Sequence, residues 1–178
     1  MRPILIALTL SLCALRASAV PTPTRAVPGF AVNDLNGNRH TPQHLLGAWT
    51  VALAMTDKDI GPSVAAWWRR IEPISPAGVR LVNFVALDIV GIVPTDFLLS
   101  EARSQTPRHR WGDVWFSRDG SFGEQLGLPD SETPWVFIID PRGRVGEAVH
   151  GFANVTEAER VVEAIRHLPT GPTVALRP

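Results

Sequence analysis

Hydrophobic and polar positions alternate between two periods along this chain. Trp49 to Met55 is an essentially continuous apolar run, the mark of a strand buried on both faces. Val79 to Asp88 predicts a second such strand and Val114 to Phe116 a third. A short strand is expected from Phe30 to Leu35. A hairpin is expected from Trp135–Ile139 and Arg144–Val149, joined by the tight Asp140-Pro141-Arg142-Gly143 turn. Between these runs the period changes to that of a helix. Residues 62–72 begin with Pro62, suited to a first helical turn. Residues 95–105 place Phe97, Leu98 and Ala102 on one stripe, and residues 156–168 do the same with Val161, Val162, Ile165 and Leu168. Thr41-Pro42 opens a short helix ending near Gly47, Phe122 to Leu126 forms another, Thr156 is the expected cap of the last helix, and Pro169 stops it.

Strands alternating with helices, then a hairpin and a closing helix, predict an α/β domain whose mixed central sheet is flanked by helices. A chain of 178 residues can bury one substantial core. With 45% hydrophobic and 19% charged residues, it reads as globular rather than disordered. The formal net charge is zero, which leaves no electrostatic footprint for nucleic acid. Basic residues are nearly all arginine, Lys58 being the one lysine.

Residues 1–19 read as a secretory leader. Arg2 precedes an apolar stretch from Ile4 to Leu15, too short to span a bilayer comfortably, and Ala17-Ser18-Ala19 fits a small-x-small cleavage site. Export to the periplasm or the extracellular space is therefore expected, with no stable membrane span once the leader is removed. An uncleaved anchor and a lipoprotein linked through Cys13 are the alternatives; Leu12 is bulky for the latter. Cleavage after Ala19 leaves 15 basic and 17 acidic residues, a net charge of −2, and no cysteine. Disulfides, thiolate catalysis and cysteine metal sites are then excluded. Residues 20–28 form a Pro/Thr-rich lead expected to be mobile, residues 29–168 the domain, and residues 169–178 a loose tail.

Four segments carry a family likeness. They are Phe30 to Gly37, Leu46-Gly47-Ala48-Trp49 with the run that follows, Trp115 to Leu128, and Thr133 to Gly143. Together they resemble the thioredoxin-like redoxins, especially secreted thiol-disulfide reductases and the alkyl hydroperoxide reductase group. The likeness covers roughly Pro28 to Leu168. Cysteine-free periplasmic proteins of the YtfJ type are a weaker resemblance. The likeness implies a thioredoxin-like fold. In these redoxins Cys-Gly-Pro-Cys opens the helix after the central strand; here Ile60-Gly61-Pro62-Ser63 stands in that place. Isoleucine cannot ionise, and a serine hydroxyl is far too weak an acid for a helix dipole to activate alone. The sequence presents no adjacent base. The resemblance therefore does not carry over redox catalysis.

The likeness also implies that Thr133-Pro134 is a cis bond beside that helix, with Thr133, Pro134 and Trp135 forming a peptide-binding edge. Trp135 either walls that groove or packs in the core. The function expected is a non-catalytic binding module for an extended peptide or a periplasmic protein. The alternative is an accessory to a redox system that uses a partner's thiol. The protein is not expected to be an enzyme, and no cofactor or metal is expected.

Other residues admit simpler readings. Asp57 and Asp59 suit capping of the following helix better than an acidic site. Asp34-Leu35-Asn36-Gly37-Asn38 looks like the start of a calcium loop, but the twelfth position holds Leu45, so a plain turn is expected. His40 and His44 lack a clear third ligand, and His109, His150 and His167 stand apart. Arg108-His109-Arg110 is a small basic cluster in a loop. Trp67 and Trp68 point about 100° apart on a helix, so one faces the core and the other is partly exposed.

Overall fold

The computed structural model describes residues 20–89 and 94–170. The expected leader with Cys13, and most of the expected loose tail, lie outside the described residues. Seven strands form one mixed sheet in the order β2-β1-β5-β4-β3-β6-β7. They are β1 Val32–Asp34, β2 Arg39–His40, β3 Thr50–Met55, β4 Arg80–Ala86, β5 Val114–Ser117, β6 Trp135–Ile139 and β7 Val145–His150. Strands β3, β4 and β5 run parallel, and every other pairing is antiparallel. The helices are α1 Gly61–Ile71, α2 Thr95–Gln105, α3 Ser121–Leu126 and α4 Thr156–Arg166. The expected α/β architecture is present.

Successive residues of a strand point to opposite faces, and each face has its own core. Ala52 and Ala54 of β3 lie with Phe84, Trp115, Phe122 and Phe137. Phe30 packs across Phe84, Trp115 and Phe122 at ring separations of 5.2 to 6.1 Å. Val51 and Leu53 lie on the other face with Trp67 and Ile71 of α1 and Val161, Val162 and Ile165 of α4. Trp67 is fully buried and donates its indole N–H to Gly151 O at 2.9 Å. Trp68, one residue on, is half-buried and donates to Asn83 Oδ1 at 2.7 Å. The two tryptophans thus divide as their angular offset requires.

Several local expectations change. The Thr41–Gly47 helix is only a 3-10 turn over Pro42–Leu45, with His44 Nδ1 accepting from Thr41 N–H. Strand β2 is a two-residue antiparallel return from the Asp34–Asn38 turn. The cap of α4 is Val155, and Thr156 is its first residue. Helix α2 has no fully buried side chain. Phe97, expected on its apolar stripe, is 63% exposed. The lead, expected to be mobile, is hydrogen-bonded to the β6–β7 hairpin: Thr24 N–H donates to Val145 O, Val27 N–H to Gly143 O, and Val145 N–H to Arg25 O. Val27 is buried against the core. The apolar side chains of this segment, together with those backbone bonds, outweigh its turn-rich composition.

Candidate functional site

Every thiol-related position falls at one end of the sheet, where β3 runs out. After Met55 the chain enters Thr56-Asp57, then a 3-10 turn over Lys58–Ile60, then α1. Asp57 caps that turn by accepting Asp59 N–H at 2.8 Å, while Asp59 pairs with Lys58. The two acids are thus a cap and a surface ion pair. Ile60 is 6% exposed and belongs to the core, Gly61 and Pro62 lie on the surface, and Ser63 is half-buried as the third residue of α1. On the register that the resemblance implies, the place of the first sulfur holds a buried aliphatic side chain.

Thr133, Pro134 and Trp135 lie at the same end of the sheet. Trp135 is paired with Ala54, one residue before the end of β3. Thr56 ties the two loops together: its Oγ1 donates to Pro129 O at 3.2 Å and accepts Ser131 N–H at 2.9 Å. Two expectations are corrected here. The Thr133–Pro134 bond is trans, since no cis peptide bond occurs among the described residues. Thr133 N–H already donates to Ser131 Oγ at 3.1 Å, so it is not an open donor for an added strand. Trp135 packs on the Phe137 side of the sheet, stacked against His150 at 3.7 Å, with its indole N–H buried and unpartnered.

The loop before β6 also holds a cluster that sequence reading missed. His150 Nε2 lies 2.6 Å from Ser131 Oγ and 2.8 Å from Thr133 Oγ1. These residues are 19 and 17 positions apart, and only the β6–β7 pairing brings them together. A serine on a histidine suggests acyl-transfer chemistry. However, no carboxylate among the described residues is bonded to His150, so the third member of a catalytic set is missing. The arrangement locks a loop.

On the opposite face, α1 and α2 diverge and leave an apolar cleft of about 410 Å³. Its floor is Val85, Val114 and Phe116, and its walls include Gly61 and Val64 of α1 and Leu98 of α2. Met55, Lys58 and Gly61 line its end beside the Ile60–Ser63 segment. Val85 and Phe116 on that floor are only half-buried, since α2 covers them poorly.

Asp34 is 4% exposed and organises the first turn. Its Oδ1 accepts from Asn36 and Asn38 N–H, and its Oδ2 accepts from Asn38 Nδ2 and faces His40 Nε2 at 3.0 Å. Burial pushes its carboxyl upward, but the His40 bond and the N–H groups of Asn38 and Asn36 together hold it below the usual value. Both oxygens serve the turn. His40 stacks on Trp115 at 4.3 Å. Among the described residues, no three His, Cys, Asp or Glu side chains converge as a metal site. The Arg108–Arg110 cluster is dispersed: Arg110 pairs with Glu72 and Asp113, and Arg108 lies over Trp111.

This architecture is the thioredoxin-like fold, and the solved structures that resemble it are redoxins. The thiol peroxidase from Chromobacterium violaceum superposes with a TM-score of 0.55 at 12% identity, over 83% of this chain and 89% of that one. BsSco, a member of the Sco family of cytochrome c oxidase assembly proteins, gives 0.56 at 15% identity over 84% and 99%. The exposed lipoprotein thioredoxin Etrx1 of Streptococcus pneumoniae gives 0.53 at 11% identity over 79% and 99%. At such identities the likeness establishes the fold alone. No protein-family model and no curated protein matches the sequence.

Proposed function

We propose that this chain is an exported, non-catalytic thioredoxin-like module that binds an extended peptide or a segment of a protein partner. The observation that carries this reading is the apolar cleft beside the start of α1, where Ile60 and Ser63 stand at the expected sulfur positions. A cleft of this volume takes one or two apolar side chains. A peptide seated there reaches the end of β3, where Thr56 joins the loop that carries Thr133 and Pro134. With the bond trans and Trp135 on the other face, the cleft is the principal contact and the Thr133–Trp135 edge a secondary one.

Isothermal titration of the mature protein with extended apolar peptides tests this. Val64→Glu puts a charge on the cleft wall and is expected to weaken binding by about tenfold or more, since the carboxylate must be desolvated when the cleft fills. Trp135→Ala is expected to have a smaller effect. Absence of binding, or binding indifferent to Val64→Glu, overturns the proposal. An insulin-reduction assay with and without a thiol partner tests the redox-accessory role. Turnover by the cysteine-free protein would favour that role instead.

A further inference from the structure

A cavity of about 420 Å³ lies at the β1–β5 edge of the sheet, beneath α2, and plays no part in the proposed function. Three arginines line it from three separate elements: Arg39 of β2, Arg103 of α2, and Arg118 of the β5–α3 turn. Strand pairing explains the convergence. Asn33 pairs with Arg39 on one side and with Phe116 on the other, so all three residues stand abreast on one face. Above them Thr95, Leu99 and Arg103 follow at intervals of four and form one stripe of α2. Arg118 Nη1 donates to Thr95 Oγ1 at 3.2 Å, which joins the turn to the start of α2.

The charge in this cavity is poorly balanced. Among the described residues Arg70, Arg110, Arg144, Arg160 and Arg166 pair with a carboxylate, whereas Arg25, Arg69, Arg80, Arg108 and Arg142 outside this cavity do not. Among the described residues neither Arg39 nor Arg103 pairs with one. Arg103 spends its Nε on Leu35 O at 2.8 Å and lies over Trp111, which holds the side chain in place without neutralising it. Two carboxylates face the same cavity. Both oxygens of Asp34 are taken by its own turn and His40. Asp119 Oδ1 is held by the hydroxyls of Ser117 and Ser121, each at 2.6 Å. Neither bonds Arg39 or Arg103, and three arginines against two carboxylates leave the lining with one positive charge in surplus.

We propose that this cavity binds a phosphate-type dianion, presented by free phosphate, a small phosphomonoester or a lipid headgroup. Guanidinium forks match tetrahedral oxyanions with paired N–H bonds, and a dianion suits two or three converging arginines better than a single carboxylate does. The Thr95 hydroxyl supplies a neutral donor, and Phe116 and Leu99 offer an apolar wall for the body of an ester. This site shares Phe116 with the peptide cleft but none of its charged residues.

Titration of the mature protein with inorganic phosphate and with glycerol 3-phosphate, at constant ionic strength, tests the proposal. Vesicles with and without anionic phospholipid form a parallel arm. Saturable binding of either soluble phosphate is expected, weakened about fivefold or more in Arg39→Gln and in Arg103→Lys, which keeps the charge but loses the fork. Arg39 is exposed on a two-residue edge strand, so its replacement leaves the core untouched. If soluble phosphates bind, added vesicle binding lost in the same variants identifies the headgroup as a source. Three results overturn the site: no soluble phosphate binds, both variants bind like the parent, or acetate at equal ionic strength competes as well as phosphate. Vesicle binding without binding of either soluble phosphate also overturns it, because the contact is then a surface rather than a cavity.

Discussion

Ser131 Oγ and His150 Nε2 are 2.6 Å apart, a contact that joins the loop before β6 to the last residue of β7. The same imidazole reaches Thr133 Oγ1 and lies flat on Trp135. One side chain therefore holds the loop through two hydroxyls and covers an indole. Replacing His150 with alanine leaves both hydroxyls to water and uncovers the Trp135 face. A loss of about 1–2 kcal/mol is expected, read as a lower urea midpoint with an unchanged slope. A variant as stable as the parent would show the contact to be incidental.

Trp67 is the largest side chain held without solvent contact, and its N–H satisfies the Gly151 carbonyl after β7. Trp67→Ala creates a cavity between α1, α4 and the sheet and leaves that carbonyl unpaired. It is expected to cost about 3–5 kcal/mol, measured by denaturant unfolding. Trp68→Ala, on the half-buried neighbour, is expected to cost less than half as much. Equal losses would mean that the two rings share the burden.

Asp34 has a carboxyl held below its ordinary value of 3.8. Asp140 is held below it too: burial raises it, but the Arg144 and Arg142 N–H groups outweigh that effect. A depressed acid stabilises the fold above the unfolded-state value. That contribution disappears as the pH falls through the lower, folded value. Stability is therefore expected to fall on acidification below about pH 4. Asp34→Asn should flatten this acid limb, since it removes the titrating group. An unchanged slope of stability against pH in that variant would contradict the assignment.

The proposed removal of residues 1–19 as a leader has a chemical signature. Cleavage after Ala19 removes Cys13, so the exported protein should carry no thiol by Ellman titration, and its intact mass should begin at Val20. The same preparation is expected to reduce insulin no faster than buffer. A titratable thiol would show that the leader is retained.

Much of the fold was legible because burial imposes a period. The unbroken apolar run of β3 and the stripe of α4 mark a central strand and a packed helix wherever they occur. The tight Asp140–Gly143 turn was legible for local reasons: Gly143 has φ of 74°, and Asp140 Oδ1 accepts the N–H groups of Arg142 and Arg144. The resemblance misled where geometry depends on neighbours. It implied a cis bond at Pro134, but the bond is trans, and Thr133 spends its N–H on Ser131. Phe97 fits a helical apolar stripe by spacing alone, yet it is exposed, while Leu98 and Ala102 line the apolar cleft and Leu99 and Arg103 the arginine cavity.

Composition and spacing alone determined that a cleaved chain has no sulfur nucleophile, and that strands and helices alternate around one core. Those are properties of residue type and of short-range period. The apolar cleft, the His150 latch and the three-arginine cavity were decided by the tertiary structure. Each is assembled from residues on separate elements, brought together by strand register and helix placement. Long-range pairing leaves no periodic trace in a single sequence, so these sites become visible only when the sheet is assembled.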